Sequence, residues 1–203
     1  AAGGAFVRVS KGTRPATDEF KDPGKSPIDT KWTITPRPLS AIRSHIAAGN
    51  NAGIVGGHGG IVLVDADAKS PKGTAAAVLA ALPRLASTLR HFRDTAPERA
   101  KFTVKMAPGE PLPMSQKNHA VGLEILSTGY QGVIAGVHAG NWAKDKESGR
   151  WHRHGMMAPI LWSGSEVIEV TYAELDALWH ELTGEHLEKT KKKPPHAGAT
   201  AAA

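Results

Sequence analysis

The sequence has no cysteine and no long apolar run, and each absence excludes a class of protein. Without cysteine among its 203 residues, the chain forms no disulfide bond, no cysteine-ligated zinc finger and no cysteine nucleophile. No apolar run approaches the roughly 20 residues that are needed to cross a bilayer. No segment resembles the apolar region and cleavage site of a secretory signal either. We therefore expect a soluble, cytoplasmic protein with no membrane partner.

Two catalytic loop motifs are also missing, and positive charge is in excess. The chain has no Gly-x-x-x-x-Gly-Lys-Ser/Thr loop, which excludes a P-loop ATPase for this segment, and no Gly-x-Ser-x-Gly nucleophile elbow. Its 25 lysines and arginines against 19 acids give a formal net charge of +6. Part of this excess lies in the basic run 189–193, which would be solvated in any protein. The balance favours a polyanionic partner, a nucleic acid or a nucleotide.

The length predicts one domain over residues 1–187. Domains usually hold roughly 100–200 residues. Residues 1–38 are rich in Lys, Pro, Thr, Gly and Asp with little periodicity, and the first 24 are expected to form an extended arm. Residues 188–203 are basic and alanine-rich, so we expect a flexible tail or linker there.

Helical and strand patterns are mixed along the domain without an internal repeat, which predicts an α+β fold. A helix is expected over 40–48, capped by Ser40, and another from 72 or 74 to 82. A last helix over 171–182 would begin with a capping box at Thr171. The segments whose patterns predict strands are 52–55, 60–65, 88–93, 100–106, 121–126 and 132–137.

The connections carry further expectations. The glycine-rich residues 56–59 between the first two strands have the composition of a hairpin turn. The strand that follows is continuously apolar over 61–64, as expected of a strand covered on both faces. Residues 107–118 are rich in proline, and residues 139–157 are polar and rich in Gly, Trp and His. Both segments are predicted to be loops.

A pair of acids follows the apolar strand. Asp65 and Asp67 are two positions apart, so in an extended chain their side chains point to the same face. Two carboxylates at the end of a buried strand repel each other and lose hydration unless a cation lies between them. Mg²⁺ or Mn²⁺, which prefer oxygen ligands, would relieve that repulsion. A solvated corner in which Asp67 caps a turn is the alternative.

A third acid, Glu124, lies between apolar residues of the strand predicted over 121–126. If this strand neighbours the one that ends in Asp65, the three carboxylates form a site for two divalent ions, which suits phosphoryl transfer. A lone glutamate on the solvated face of a strand would look the same in sequence.

Two further segments carry groups suited to phosphate. His138 is flanked by small residues that permit a ligand to come close, although a turn histidine bonded to backbone would look similar. Arg93, Arg99 and Lys101 gather around a turn into a strand and could contact phosphates, as could an ordinary solvated turn. His152 and His154, with His138, His119 and His58, offer a zinc alternative, but their spacing matches no known ligand pattern.

Taken in order, these segments resemble the primase–polymerase (prim-pol) branch of the archaeo-eukaryotic primase superfamily, found in phage and plasmid replication proteins. The resemblance covers roughly residues 25–155. It rests on Lys25-x-Pro27 followed by Trp32, on Asn51-Ala52-Gly53-Ile54-Val55-Gly56, on Gly60-Ile61-Val62-Leu63-Val64-Asp65-Ala66-Asp67, on Leu123-Glu124-Ile125-Leu126 through Gln131, and on Gly136-Val137-His138.

The resemblance implies a primase and DNA polymerase whose fold pairs a small αβ unit with an RNA-recognition-like sheet. Asp65, Asp67 and Glu124 would then be the catalytic acids that bind Mg²⁺ or Mn²⁺. Lys101 stands where the family's middle motif usually has a histidine that contacts the nucleotide, and the later acid is Glu rather than the commoner Asp. The residues that would contact the incoming nucleotide are Lys101, Arg99, His138 and Gln131.

The implied partners are nucleoside triphosphates, a single-stranded DNA template and an attached or cooperating helicase, in the cytoplasm of a bacterial host. Trp142, Trp151 and Arg153 are expected to contact the template. Two other functions stay open. The lysine at position 101, where the family usually has a histidine, is compatible with a catalytically silent DNA-binding module. The same carboxylates would also suit a metal-dependent nuclease.

Overall fold

The computed structural model describes residues 6–13, 15–18 and 22–189, and they form a mixed α+β structure. Within these residues there are three α-helices: α1 (Leu39–Ala47), α2 (Ala75–Ala81) and α3 (Tyr172–Thr183). The strands are β1 (Phe6–Val9), β2 (Asn51–Val55), β3 (Ile61–Ala66), β4 (Arg90–Arg93), β5 (Ala96–Met106), β6 (Gln116–Asn118), β7 (Leu123–Leu126), β8 (Gln131–Ala135), β9 (Val137–His138), β10 (Asn141–Lys144), β11 (Trp151–His154), β12 (Ala158–Pro159), β13 (Leu161–Ser163) and β14 (Glu169–Val170).

Two sheets carry most of these strands. The larger has seven strands, six of them antiparallel neighbours in the order β13-β4-β5-β3-β7-β6, while β14 pairs in parallel with β5. The smaller is antiparallel with the order β1-β2-β8. Two small antiparallel pairs, β10 with β11 and β9 with β12, complete the strand pairing.

The apolar part of β3 is buried on both faces of the larger sheet, which confirms the prediction for the continuously apolar strand. On one face Val62 and Val64 of β3 belong to the main core with Phe102 of β5 and the residues of α2 and α3, among them the fully buried Trp179. On the other face Leu63 packs in a second cluster that includes residues of the smaller sheet. Burial of these side chains from water is the main force that holds the layers together.

Two of the helix starts follow the predictions and one does not. Thr171 and Glu174 form the predicted capping box of α3, and the Thr74 side chain caps α2 by accepting a hydrogen bond from the backbone of Ala77. Ser40 is not a cap, because α1 begins at Leu39 after the extended residue Pro38. In the described part of the chain, no helix combines the length and the apolar character needed to span a membrane.

Three predictions about the connections are wrong. Residues 56–59 do not join a hairpin, because β2 and β3 lie in different sheets and this segment crosses between them. Residues 139–157 form a hairpin of β10 and β11 rather than a loop. The segment 107–118 is not entirely a loop either, because its last three residues form strand β6. Glycines permit residues 56–59 to cross between sheets as readily as to turn, and β6, β10 and β11 form through backbone pairing that their polar composition does not indicate.

Much of the predicted tail, residues 188–203, lies outside the described residues, as do residues 1–5, 14 and 19–21 of the predicted arm. The two described residues of the tail pack against the domain. The backbone of Glu188 donates to the side-chain oxygen of Gln116 at 2.5 Å, and Lys189 bridges to Pro113.

Candidate active site

Five neighbouring strands place five side chains in one row across the larger sheet. In β4, β5, β3, β7 and β6 the residues directly opposite one another are His91, Lys101, Asp65, Glu124 and Lys117, in that order. Residues that face each other across neighbouring strands share one face of the sheet. All five line one cavity of about 670 Å³. The row, which we call the charged row, therefore forms the floor of this cavity.

The three acids singled out in the sequence reach this cavity together. Asp65 and Glu124 are direct neighbours in the charged row, and Asp67 follows the end of β3 and lines the same cavity. The backbone N–H of Asp67 donates to the carbonyl of Gly122 at 2.7 Å, which ties it to the start of β7. Burial, and then the negative charge of Asp65, raise the pKa of Asp67. The negative charges of the three acids thus repel one another in a site that is partly buried from solvent.

Lysines neutralise two of these acids. Lys101 forms an ion pair with Asp65, and Lys117 donates to Glu124 at 2.8 Å. The Lys117 ammonium also lies 5.0 Å from the centre of the Tyr130 ring, so it is held from two sides. With these pairs formed, the described residues include no group of three or more acids and histidines that is already arranged to hold a metal ion.

The donor set nevertheless fits a divalent cation of the magnesium type. Asp65, Asp67 and Glu124 offer carboxylate oxygens, the ligands that Mg²⁺ and Mn²⁺ prefer. The raised pKa of Asp67 reflects burial first and the negative charge of Asp65 second, and a bound cation would offset both. The zinc alternative has no such support, because His152 and His154 lie on the exposed strand β11, away from this cavity.

His138 lines the cavity as a neutral imidazole. Its Nδ1 atom accepts a hydrogen bond from the backbone of Gly140 at 3.1 Å and lies 3.1 Å from the Arg93 guanidinium. Burial, and then the charge of Arg93, lower the pKa of His138 to about 4. Since both neighbours are donors, Nδ1 carries no proton and Nε2 carries one. The ring can therefore donate a hydrogen bond to a ligand oxygen.

His91 was missed by the sequence analysis. Its side chain is buried at the end of the charged row, with Nε2 3.3 Å from the Thr103 hydroxyl and with no hydrogen-bond partner of acceptable geometry at Nδ1. Burial, and then the charge of Lys101, lower the pKa of His91 to about 4, although the Ile134 backbone favours the protonated ring. Only the strand register, which sequence does not reveal, could have selected this histidine.

The predicted phosphate-binding residues occupy the same cavity. Arg93, Arg99 and Lys101 line it, and Lys25 of the N-terminal segment adds a fourth cation. Gln131 lines it too, but its side-chain amide donates to the backbone carbonyl of Lys25 at 2.8 Å. Gln131 thereby fixes the N-terminal segment against the cavity, in addition to any contact with a ligand.

The residues expected to contact a template lie apart from this cavity, on the hairpin of β10 and β11. The Arg153 guanidinium stacks 4.9 Å from the centre of the Trp142 ring. The Trp151 indole donates to Asp18 at 3.1 Å, and Lys144 pairs with the same carboxylate at 2.6 Å. The hairpin is therefore anchored to the N-terminal segment through Asp18.

A family model confirms the resemblance found in the sequence. The model of the N-terminal domain of bifunctional DNA primase/polymerases, Prim-Pol, matches residues 5–161. The match contains the whole charged row and ends before α3. Comparison with curated proteins finds no match. Because the family model covers more than half of the chain, this protein belongs to the bifunctional DNA primase/polymerase (Prim-Pol) family.

Proposed function

We propose that the domain is a primase and DNA polymerase that adds nucleotides to a hydroxyl group under the direction of a DNA template. The observation that carries this proposal is the meeting of Asp65, Asp67 and Glu124 in one cavity that is also lined by Arg93, Arg99 and lysines. Family membership supports the general reaction class. Carboxylates beside fixed cations suit nucleotidyl transfer, because that reaction needs both a cation site and a triphosphate site.

The acids would hold Mg²⁺ or Mn²⁺. When bound there, such a cation lowers the pKa of an attacking hydroxyl and neutralises charge on a triphosphate. The protein's own contribution is to hold Asp65 and Glu124 side by side through strand register and to bring Asp67 to them through its backbone bond to Gly122. Rigid strands hold such groups more precisely than loops do.

The cations and the neutral histidine would bind the triphosphate. Arg93 and Arg99 can bind phosphate oxygens with two hydrogen bonds each, while Lys25 and Lys101 add point charges. His138 would donate its Nε2 proton to a phosphate oxygen. These groups are most effective where charge develops on the departing pyrophosphate. Gln131 would act through the segment that carries Lys25.

A single-stranded DNA template would cross the basic surface and contact the hairpin of β10 and β11. Trp142, Trp151 and Arg153 supply the aromatic and cationic groups on which bases and phosphates are bound in many single-strand binders. By analogy with the family, the domain would act in phage or plasmid replication in a bacterial cytoplasm, attached to or working with a helicase.

One observation favours a second candidate, a catalytically silent module that only binds DNA. Lys101 replaces the family's usual histidine and pairs with Asp65, so one of the three acids is already neutralised. Such a module would bind single-stranded DNA without incorporating nucleotides. A nuclease would instead degrade the DNA, and the same assay detects this.

The test is the incorporation of labelled nucleotides on single-stranded DNA, with and without a primer, in Mg²⁺ and in Mn²⁺. We expect incorporation by the wild type and its loss, on the order of a thousandfold, in Asp65→Asn, with DNA affinity retained. Asp94→Asn is the matched control, because Asp94 is exposed and does not line the cavity. Retained activity in Asp65→Asn removes this site from contention. DNA binding or degradation without incorporation identifies the silent module or the nuclease.

A further inference from the structure

The charged row already contains counter-charges for its acids. From β5 to β6 the signs run plus, minus, minus, plus, through Lys101, Asp65, Glu124 and Lys117. The Asp65 and Glu124 side chains are only 16% and 14% exposed. Two largely buried carboxylates on neighbouring strands would repel each other strongly if no positive charges were nearby. The two lysines therefore supply the charge that a divalent cation would otherwise supply.

A lysine and a divalent cation compete for the same carboxylate. An oxygen that accepts a hydrogen bond from Lys101 cannot give the same electron pair to a metal ion. Lys101 contacts only one oxygen of Asp65, but a cation on the other oxygen would lie close to the ammonium and repel it, which favours the departure of Lys101 from that carboxylate. Its departure would expose a free positive charge inside a cavity where Arg93 and Arg99 already gather. That location suits a triphosphate, which carries the charge to neutralise all three.

Lys101 is better placed for such a move than Lys117. Lys117 lies on the edge strand β6 and is held by both Glu124 and the Tyr130 ring. Lys101 lies on the central strand β5, and its stem crosses Gly132 of β8. A side chain at position 132 would begin 2.5 Å from the Lys101 Cδ atom, so the glycine leaves the space that this stem occupies.

We propose that Lys101 is an exchangeable counter-ion that pairs with Asp65 before ligands bind, yields this carboxylate to the divalent cation and then binds the triphosphate. This inference rests on the proposed function and adds a coupling to it. Because the nucleotide draws Lys101 away from Asp65, nucleotide and cation favour each other's binding by the same factor. The lysine that replaces the family's usual histidine would thus link the two ligands.

The test is Mn²⁺ binding to the free protein, followed by electron paramagnetic resonance without nucleotide, in Lys101→Met. We expect Mn²⁺ to bind on the order of tenfold more tightly, since one nearby positive charge is gone. The affinity for a non-hydrolysable nucleoside triphosphate, measured with a metal chelator and with saturating Mn²⁺, should depend less on Mn²⁺ than in the wild type. Lys105→Met is the matched control, because Lys105 lies on the same strand and pairs with Glu169 outside the cavity, at 2.9 Å. It should bind Mn²⁺ as the wild type does.

The outcomes separate this inference from the proposed function. Unchanged or weaker Mn²⁺ binding in Lys101→Met, with normal binding by the wild type, overturns the role of Lys101 and leaves the carboxylate site standing. Absence of Mn²⁺ binding in the wild type and in Lys101→Met overturns both. If Mn²⁺ binds only in Lys101→Met, the inference stands when added nucleoside triphosphate restores Mn²⁺ binding to the wild type, and it is overturned when the triphosphate does not, because the lysine then blocks the site without exchanging. Lys101→Gln, a smaller polar replacement, serves if the methionine variant does not fold.

Discussion

At the scale of single residues, the cavity combines ionised and neutral polar groups. Asp65 and Glu124 are neutralised by lysines, whereas His91 and His138 avoid protonation because burial and nearby cations disfavour a further positive charge. A protonated histidine would compete with Lys101 and Arg93 for the same space. Neutral rings still offer a hydrogen-bond donor or acceptor, so they can contact a ligand without adding charge.

The buried His91 predicts a loss of stability in acid. Its pKa in the folded protein, about 4, is below the ordinary value of 6.5, so between these values the unfolded chain binds the proton more readily. The free energy of unfolding should therefore fall as the pH drops from about 6.5 to 4, and His91 should account for roughly 2–3 kcal/mol of this fall. His91→Leu should be less stable at pH 7 and should lose less stability on acidification.

Urea denaturation at pH 7 and at pH 4.5 measures this difference. His152→Leu is the control for loss of a histidine, because His152 is exposed on β11. Equal acid sensitivity in the wild type and in His91→Leu would contradict a neutral, buried His91.

Some site residues could be identified from sequence because their local pattern carries the chemistry. Asp65 and Asp67 follow a continuously apolar strand, and Glu124 lies between apolar residues of another. These strand patterns were enough to identify the three acids as candidate site residues. His91 and Lys117 could not be found in this way, because their importance comes from the residues opposite them in neighbouring strands. Pairing between distant strands depends on the whole fold rather than on a local propensity.

At the scale of elements, the loop after β3 connects the acids to one another. Its backbone bonds to the residues just before β7: Asp67 donates to Gly122, and Ser70 donates to Val121 at 3.1 Å. Gly73 closes the loop, and its carbonyl accepts from Ala68 at 3.0 Å. The strand that carries Glu124 and the loop that carries Asp67 are therefore one unit.

Gly73→Ala tests this connection. A Cβ atom at position 73 would lie 2.0 Å from the carbonyl oxygen of Val121, and a backbone atom cannot rotate away as a side chain can. We expect the free energy of unfolding to fall by about 1–3 kcal/mol, and Mn²⁺ affinity to fall as Asp67 moves from Glu124. Urea denaturation and Mn²⁺ titration measure the two effects.

Gly109→Ala is the control for this variant. A Cβ atom at position 109 meets nothing within 4 Å, although its φ of +87° strains an alanine. It should lose stability by about 1–2 kcal/mol without any change in Mn²⁺ affinity. Wild-type Mn²⁺ affinity in Gly73→Ala would show that the loop does not position Asp67.

The elements also show which features local sequence determines. The capping box at Thr171 and the α3 helix were predicted because hydrogen bonds between residues three apart define them. The apparent hairpin at 56–59 was wrong because glycines permit either a tight turn or a crossing between sheets. The hairpin of β10 and β11 was missed because its strands are polar and largely exposed.

At the scale of the whole molecule, the two faces of the larger sheet have different roles, one in the core and the other in the candidate site. One face packs against α2 and α3 and supplies most of the core, while the other carries the charged row and the cavity. The smaller sheet and the N-terminal segment complete the cavity walls, with Lys25 fixed by Gln131. The core can therefore stabilise the fold while the acids and cations remain accessible to a ligand.

The most direct test of this account is anomalous X-ray diffraction from crystals of the protein with Mn²⁺ and a non-hydrolysable nucleoside triphosphate. We expect a manganese peak within roughly 2.0–2.6 Å of carboxylate oxygens of Asp65, Asp67 and Glu124, with the Lys101 ammonium on the triphosphate. A manganese peak elsewhere, or a nucleotide bound away from these three acids, would contradict it.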